Sequence, residues 1–252
     1  MSAGTLHVPH PEQVATSNPW AFLHWLRATG RGDPDGWEGL IDWSAAEPAG
    51  FSDAIAAFAG LPATPAPLLA MDAPVPLSSR DAGQGREAAL AMLRRSWARA
   101  RLIRPLAEVL LHADLRPDDR VLVAACPPWP WLIALRHGTE IVLATSPPPA
   151  LPAIAAEEAA SVLVADARAL SEAAFQKAGQ RPDLSCLRCI IAMGGPLAPE
   201  ARARIYTWLK SDVLLLARAG DRLWGSALDP VPARPGPPLG FFRRPPASPA
   251  PS

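Results

Sequence analysis

Five short stretches of this 252-residue chain are unbroken apolar runs: RVLVAAC (120–126), EIVLAT (140–145), SVLVAD (161–166), CIIAMG (189–194) and DVLLLAR (212–218). A strand buried on both faces has no solvent side, so it reads as a continuous run rather than as an alternation. Between these runs lie PWLIALRHG, ALPAIAAEEAA, ARALSEAAFQKAG and APEARARIYTWLK, whose apolar positions recur at helical spacing. The alternation of run and helix predicts an α/β fold with a largely parallel sheet and flanking helices.

The pattern ahead of residue 60 is different. Residues 1–17 read as a loose lead-in. SNPWAFLHWLRATG predicts a helix capped at Asn18, with Pro19 in its first turn and Gly30 closing it. Trp20, Leu23 and Leu26 make its apolar face. EPAGFSDAIAAFAG predicts a second helix that aligns Phe51, Ile55 and Phe58, with Trp37 and Trp43 between the two as packing residues. Residues 1–60 are thus expected to form a small helical N-terminal cap. Residues 61–76 hold five prolines and read as a semi-rigid linker. A long Arg/Ala/Leu helix is expected over 86–112, bent at Pro105. The α/β domain spans 77–240, and the proline-rich residues 241–252 are expected to be disordered.

Composition narrows the function classes. Lys and Arg together number 24, as do Asp and Glu, so no net positive field attracts nucleic acid or an anionic membrane. The N-terminus lacks the basic and apolar regions of a signal peptide, and no apolar run reaches the ~18 residues that cross a bilayer. The expectation is a cytoplasmic protein. Cys186 and Cys189 have CxxC spacing, but no second Cys/His pair completes a zinc site; Cys189 reads as the start of a buried strand and Cys186 as a small filler. There is no GxSxG elbow, and the five histidines form no triad or metal spacing. His112 and His137 read as solvated helix-end residues.

Several motifs then occur in a telling order. HADLRPDDRVLVAAC, PDLSCLRCIIAMGGPLAPEARARIYTWLKSDVLLL and the N-terminal FLHWLRATG…LIDWSAAEPAGF resemble segments of the adenylate-forming (AMP-binding) acyl-CoA synthetases, and among them the acetoacetyl-CoA synthetases, or acetoacetate–CoA ligases. The resemblance covers roughly residues 18–60 and 75–240. It implies a reaction in which ATP and Mg²⁺ activate a carboxylic acid as an acyl-adenylate, which the CoA thiolate then attacks. It also implies a truncated relative. The family carries over a hundred further residues between its cap and its phosphate loop, and a C-terminal domain with a catalytic lysine. Here a proline linker stands in the first place, and neither Lys177 nor Lys210 lies in a context that replaces that lysine.

The resemblance further assigns site residues. LSSRDAGQGREAAL stands where the family reads approximately SSGTTGxPK. Ser78, Ser79 and Gly83 match, and Arg86 takes the place of the lysine. Arg80 replaces a glycine, Asp81 and Ala82 replace two threonines, and Gly85 replaces a proline. A phosphate cradle needs backbone N–H groups, hydroxyls and a cation. A carboxylate ~5 Å from a phosphate costs roughly 3 kcal/mol at an effective dielectric near 20, about a hundredfold in affinity. Gly194, Gly195 and Pro196 match the adenine-side turn. Gly220 and Asp221 match part of the phosphate and metal motif, with either Asp221 or Arg222 at the position of the acid. Trp129 is the candidate acyl-pocket residue.

Three readings follow. The first is a degenerate, catalytically inactive homologue that acts as a ligand- or protein-binding scaffold, needing no cofactor and holding an adenine nucleotide or acyl ligand weakly. The second is residual acetoacetate–CoA ligase activity using ATP, Mg²⁺ and CoA, completed by a partner chain or a second copy on an unpaired sheet edge. The third is a decaying gene product.

Overall fold

The computed structural model describes residues 4–60, 77–79, 109, 111–124, 139–144, 150–175, 182–220, 222–236 and 238. The linker, most of the helix expected over 86–112, the segment PWLIALRHG and the tail lie outside them.

The cap holds a short strand, β1 (Thr5–His7), and helices α1 (Pro11–Ala15), α2 (Asn18–Thr29), α3 (Gly36–Ala46) and α4 (Pro48–Phe58). The lead-in is therefore not loose. His10 caps α1, its ring nitrogen accepting from the Glu12 N–H while the Gln13 side chain accepts from the His10 N–H. β1 pairs antiparallel with β9 (Val231–Pro232), more than two hundred positions away. α2 ends as the sequence predicts, with Gly30 in the left-handed region at φ 66°. Its cap residue is Ser17, however, and Asn18 instead ties the helix to the sheet domain: its N–H donates to Asp114 Oδ1 at 2.7 Å and its side-chain amide to the Leu115 carbonyl at 2.7 Å. Its buried face is Phe22, Leu23 and Leu26, while Trp20 points outward at 37% exposure. Trp37 and Trp43 both sit on α3, a helix the sequence pattern does not announce. Phe22 and Trp43 each meet Phe51 edge-on in the cap's core.

The sheet contains β2 (Leu77–Ser79), β3 (Arg120–Ala124), β4 (Glu140–Ala144), β5 (Val162–Asp166), β6 (Cys189–Met193), β7 (Leu214–Ala219) and β8 (Arg222–Trp224), in the order β2-β4-β3-β5-β6-β7-β8. All pairings are parallel except β7 with β8. The five apolar runs are the five strands β3 to β7, nearly every residue of them buried. Helix α6 (Ala167–Phe175) packs against both α5 (Leu151–Glu157) and α7 (Pro199–Arg204) and lies on β5 and β6. α7 runs into one π-helical turn, Ile205–Leu209.

The N-terminal ends of the strands are pinned by a buried ion pair. Asp119 accepts from Ser161 Oγ at 2.7 Å, from the Arg116 N–H at 2.7 Å and from Arg188 Nε at 2.9 Å, with a second, short bond from Arg188 Nη2. Arg188 also donates to the carbonyls of Ala113 and Asp114. One carboxylate so joins the starts of β3, β5 and β6, its lone pairs satisfied by four donors. Among the described residues no helix is long and apolar enough to cross a membrane.

Candidate functional site

The strand order contains a switch point. From β3 the chain passes to β4 on one side, then crosses back over β3 to reach β5 on the other. In open α/β sheets the crevice beyond the carboxyl ends of such strands is where ligands bind. Here that edge carries Ala124 at the end of β3, Asp166 at the end of β5, the turn after β6, and the hairpin after β7.

The turn after β6 is Gly194–Gly195–Pro196. Gly194 has φ 94° and Gly195 φ 143°, so both favour glycine. A β-carbon on Gly195 meets nothing within 4 Å, whereas one on Gly194 meets Asp166 Oδ2 at 3.3 Å. The Gly194 N–H continues the ladder by donating to the Arg218 carbonyl at 2.8 Å. Gly194 so lies beside a carboxylate whose other oxygen, Oδ1, accepts from the Arg168 N–H at 2.9 Å. One strand further on, Arg218 is a buried cation near the end of β7 and Gly220, at φ 59°, opens the hairpin to β8.

The sequence-derived residues fall on this edge in two groups. Gly194, Gly195, Pro196 and Gly220 lie in the turns that follow the adjacent strands β6 and β7. Ser78 and Ser79 end β2, opposite Val142 and Leu143 of β4. That is the same edge of the sheet, but β2 lies four strand spacings from β6, or about 19 Å across a flat sheet. Gly83, Arg86, Trp129 and Asp221 lie outside the described residues. Asp166, whose carboxylate borders Gly194, and Arg218, whose carbonyl accepts from the Gly194 N–H, are not singled out by sequence. The signal for each is an ionisable residue closing an apolar strand at its carboxyl end.

This geometry suits some ligands better than others. Of the two glycines in the turn, Gly194 is exposed and Gly195 buried. For Mg²⁺, which takes oxygen ligands, the described residues fit poorly: no three His, Cys, Asp or Glu side chains converge among them.

No family model matches this chain, and no curated protein matches it by sequence. Among solved structures, the acetoacetyl-CoA synthetase from Streptomyces lividans superposes with a TM-score of 0.68 at 14% identity, over 94% of this chain and 69% of that one. The fold is that of the acyl-CoA synthetase N-terminal domain. The benzoate CoA ligase from Burkholderia xenovorans LB400 overlaps 54% of this chain and 32% of its own, with a TM-score of 0.43 and 14% identity. The amide bond synthetase McbA from Marinactinospora thermotolerans overlaps 47% of this chain and 26% of its own, with a TM-score of 0.40 and 21% identity.

Away from the edge that this synthetase-like fold offers, two features change the sequence picture. His112 is fully buried rather than solvated; its ring lies edge-on to Trp37 at 5.7 Å, and burial lowers its pKa to about 3. Cys189 is buried at the start of β6, as expected, and burial raises its thiol pKa to about 12, while Cys186 is exposed rather than a filler. At the opposite, N-terminal edge of the sheet a cavity of about 190 Å³ is lined by His7, Arg116, Arg188, Lys210, Asp114 and Asp212. Its charges are already matched: Arg116 with Asp114, Lys210 with Asp212, and Arg188 with Asp119 behind it.

Proposed function

We propose that the chain is a degenerate, AMP-forming acyl-CoA ligase-like protein, related to the acetoacetyl-CoA synthetases, that binds a ligand at the carboxyl edge of its sheet without catalysing ligation. The observation that carries this reading is a pairing of two facts. The synthetase-like fold extends over 94% of the chain, yet LSSRDAGQG holds a carboxylate and two fewer hydroxyls where a phosphate cradle needs donors. The glycine turn beside Asp166 supports retention of a weak adenine- or acyl-sized site. The test is pyrophosphate release from ATP, Mg²⁺, acetoacetate and CoA, with nucleotide binding followed by calorimetry. The expected result is no release above the blank.

A second reading is residual ATP-dependent acetoacetate–CoA ligase activity completed by a partner chain. The intact glycines at 194, 195 and 220, all in left-handed or glycine-favouring conformations, favour it. Pyrophosphate release by the purified chain, or only after a partner is added, moves the conclusion to this reading.

A further inference from the structure

A second cavity, of about 160 Å³, lies where α7, β7, β8 and residues 229–236 meet, lined by Arg202, Leu215, Trp224, Asp229, Pro232 and Pro235 among others. It is mostly apolar, and two ionisable side chains of opposite sign border it. Arg202 is 3% exposed. Its Nε and Nη2 both donate to the Pro232 carbonyl, at 3.2 and 2.6 Å, and no carboxylate pairs with it among the described residues. A guanidinium has five N–H donors, so three remain. Asp229 is half-buried; its Oδ1 accepts from Trp37 Nε1 at 3.1 Å, and no cation pairs with it among the described residues. Burial pushes the Arg202 pKa down and, opposed by the Trp37 hydrogen bond, the Asp229 pKa up.

Two buried or half-buried charges border one cavity, then, and make no ion pair with each other. Ordinarily a buried charge is paired, because its lost hydration must be replaced. Both head groups are also held in place, Arg202 by a backbone carbonyl and Asp229 by an indole, so neither has to be ordered on binding. The rest of the lining includes Leu215, Trp224, Gly225, Val231 and prolines, which offer apolar surface. A cavity of ~150 Å³ is known to hold a benzene-sized guest, so the space admits a branched aliphatic side chain. The cavity at the N-terminal edge differs in the one respect that matters, since its cations already have carboxylate partners.

We propose that this cavity binds a small zwitterion with an apolar body, an α-amino acid, with its carboxylate on Arg202, its ammonium on Asp229 and its side chain against Trp224. A plain carboxylate satisfies only Arg202 and a plain amine only Asp229. The site is separate from the glycine turn at 194–195, and the proposal stands whether or not that edge binds a nucleotide.

Calorimetry on the full chain tests it with leucine and its two half-charged analogues, isocaproate and isoamylamine. Leucine is expected to bind, and each analogue to bind at least tenfold more weakly. Asp229→Asn is expected to abolish the preference for leucine over isocaproate while leaving isocaproate binding in place. Should that variant fail to fold, chemical-shift changes at the Trp224 indole and Gly225 amide of the wild-type protein on adding leucine decide the matter. No heat and no shift at millimolar leucine, or isocaproate binding as tightly as leucine, overturns the proposal.

Discussion

Lowering the pH should destabilise this protein through one residue. His112 is fully buried, its ring edge-on to Trp37 of the cap and its carbonyl accepting from the Ala227 N–H at 2.9 Å. Burial depresses its pKa from 6.5 to about 3. In the unfolded chain the imidazole takes up a proton below about pH 6.5, and in the folded chain it does not until about pH 3. The unfolded state therefore binds more protons over this window, and stability is lost as the pH falls through it. The loss is about 1.4 kcal/mol per pH unit. Over the whole window it reaches roughly 5 kcal/mol, comparable to the lower end of typical domain stabilities. Urea unfolding between about pH 7.5 and pH 4.5 reads it, comparing the wild type with His112→Gln and His112→Phe, which do not titrate there. The carboxylates contribute equally to all three, so the difference in slope isolates the histidine. Parallel profiles, or an NMR titration of the His112 ring with a midpoint near 6.5, would refute the reasoning.

Other outcomes follow from the same structure. Asp119→Asn leaves Arg188 without its charge partner at the junction of β3, β5 and β6; the expected cost is about 3 kcal/mol, the lower end for breaking a buried pair because the Arg188 side chain keeps 29% exposure. An unchanged denaturation midpoint would contradict it. Gly225 sits at φ 89°, and a β-carbon there meets the Leu216 Cδ2 at 3.0 Å and the Leu215 carbonyl at 3.2 Å. Gly225→Ala should therefore cost on the order of 1–3 kcal/mol, read as a fall in the thermal midpoint; no fall sinks the argument. Iodoacetamide followed by peptide mapping should label exposed Cys186 and spare buried Cys189, and equal labelling of the native protein would show that β6 opens readily. Asp81→Thr should tighten ATP binding by up to about a hundredfold, measured by calorimetry, if the loop at Ser78–Ser79 meets phosphate; no gain removes the loop from the site.

The parts legible in the sequence are those whose signal is local. β3 to β7 were readable because burial on both faces removes every polar position from the run. The C-terminus of α2 was readable because Gly30 must adopt a left-handed φ, and the Gly194–Gly195–Pro196 turn because consecutive glycines end an apolar run. α3 escaped because Gly36 and Gly39 lower its helix propensity, and its formation rests on burying Leu40 and packing Trp43 on Phe51. β1, β8 and β9 are two or three residues long, too short to carry a period; each exists through its partner strand.

The residues alone thus determined which segments become the strands of the parallel sheet and where the glycine turn falls, since each depends on its own side chains and its neighbours. Only the tertiary structure decided the strand order, the burial of His112 under Trp37, and the meeting of Arg202 with Asp229 at one cavity. These arise between segments distant along the chain. The physical reason is that burial and charge pairing depend on what a residue touches after folding, and no local periodicity encodes that.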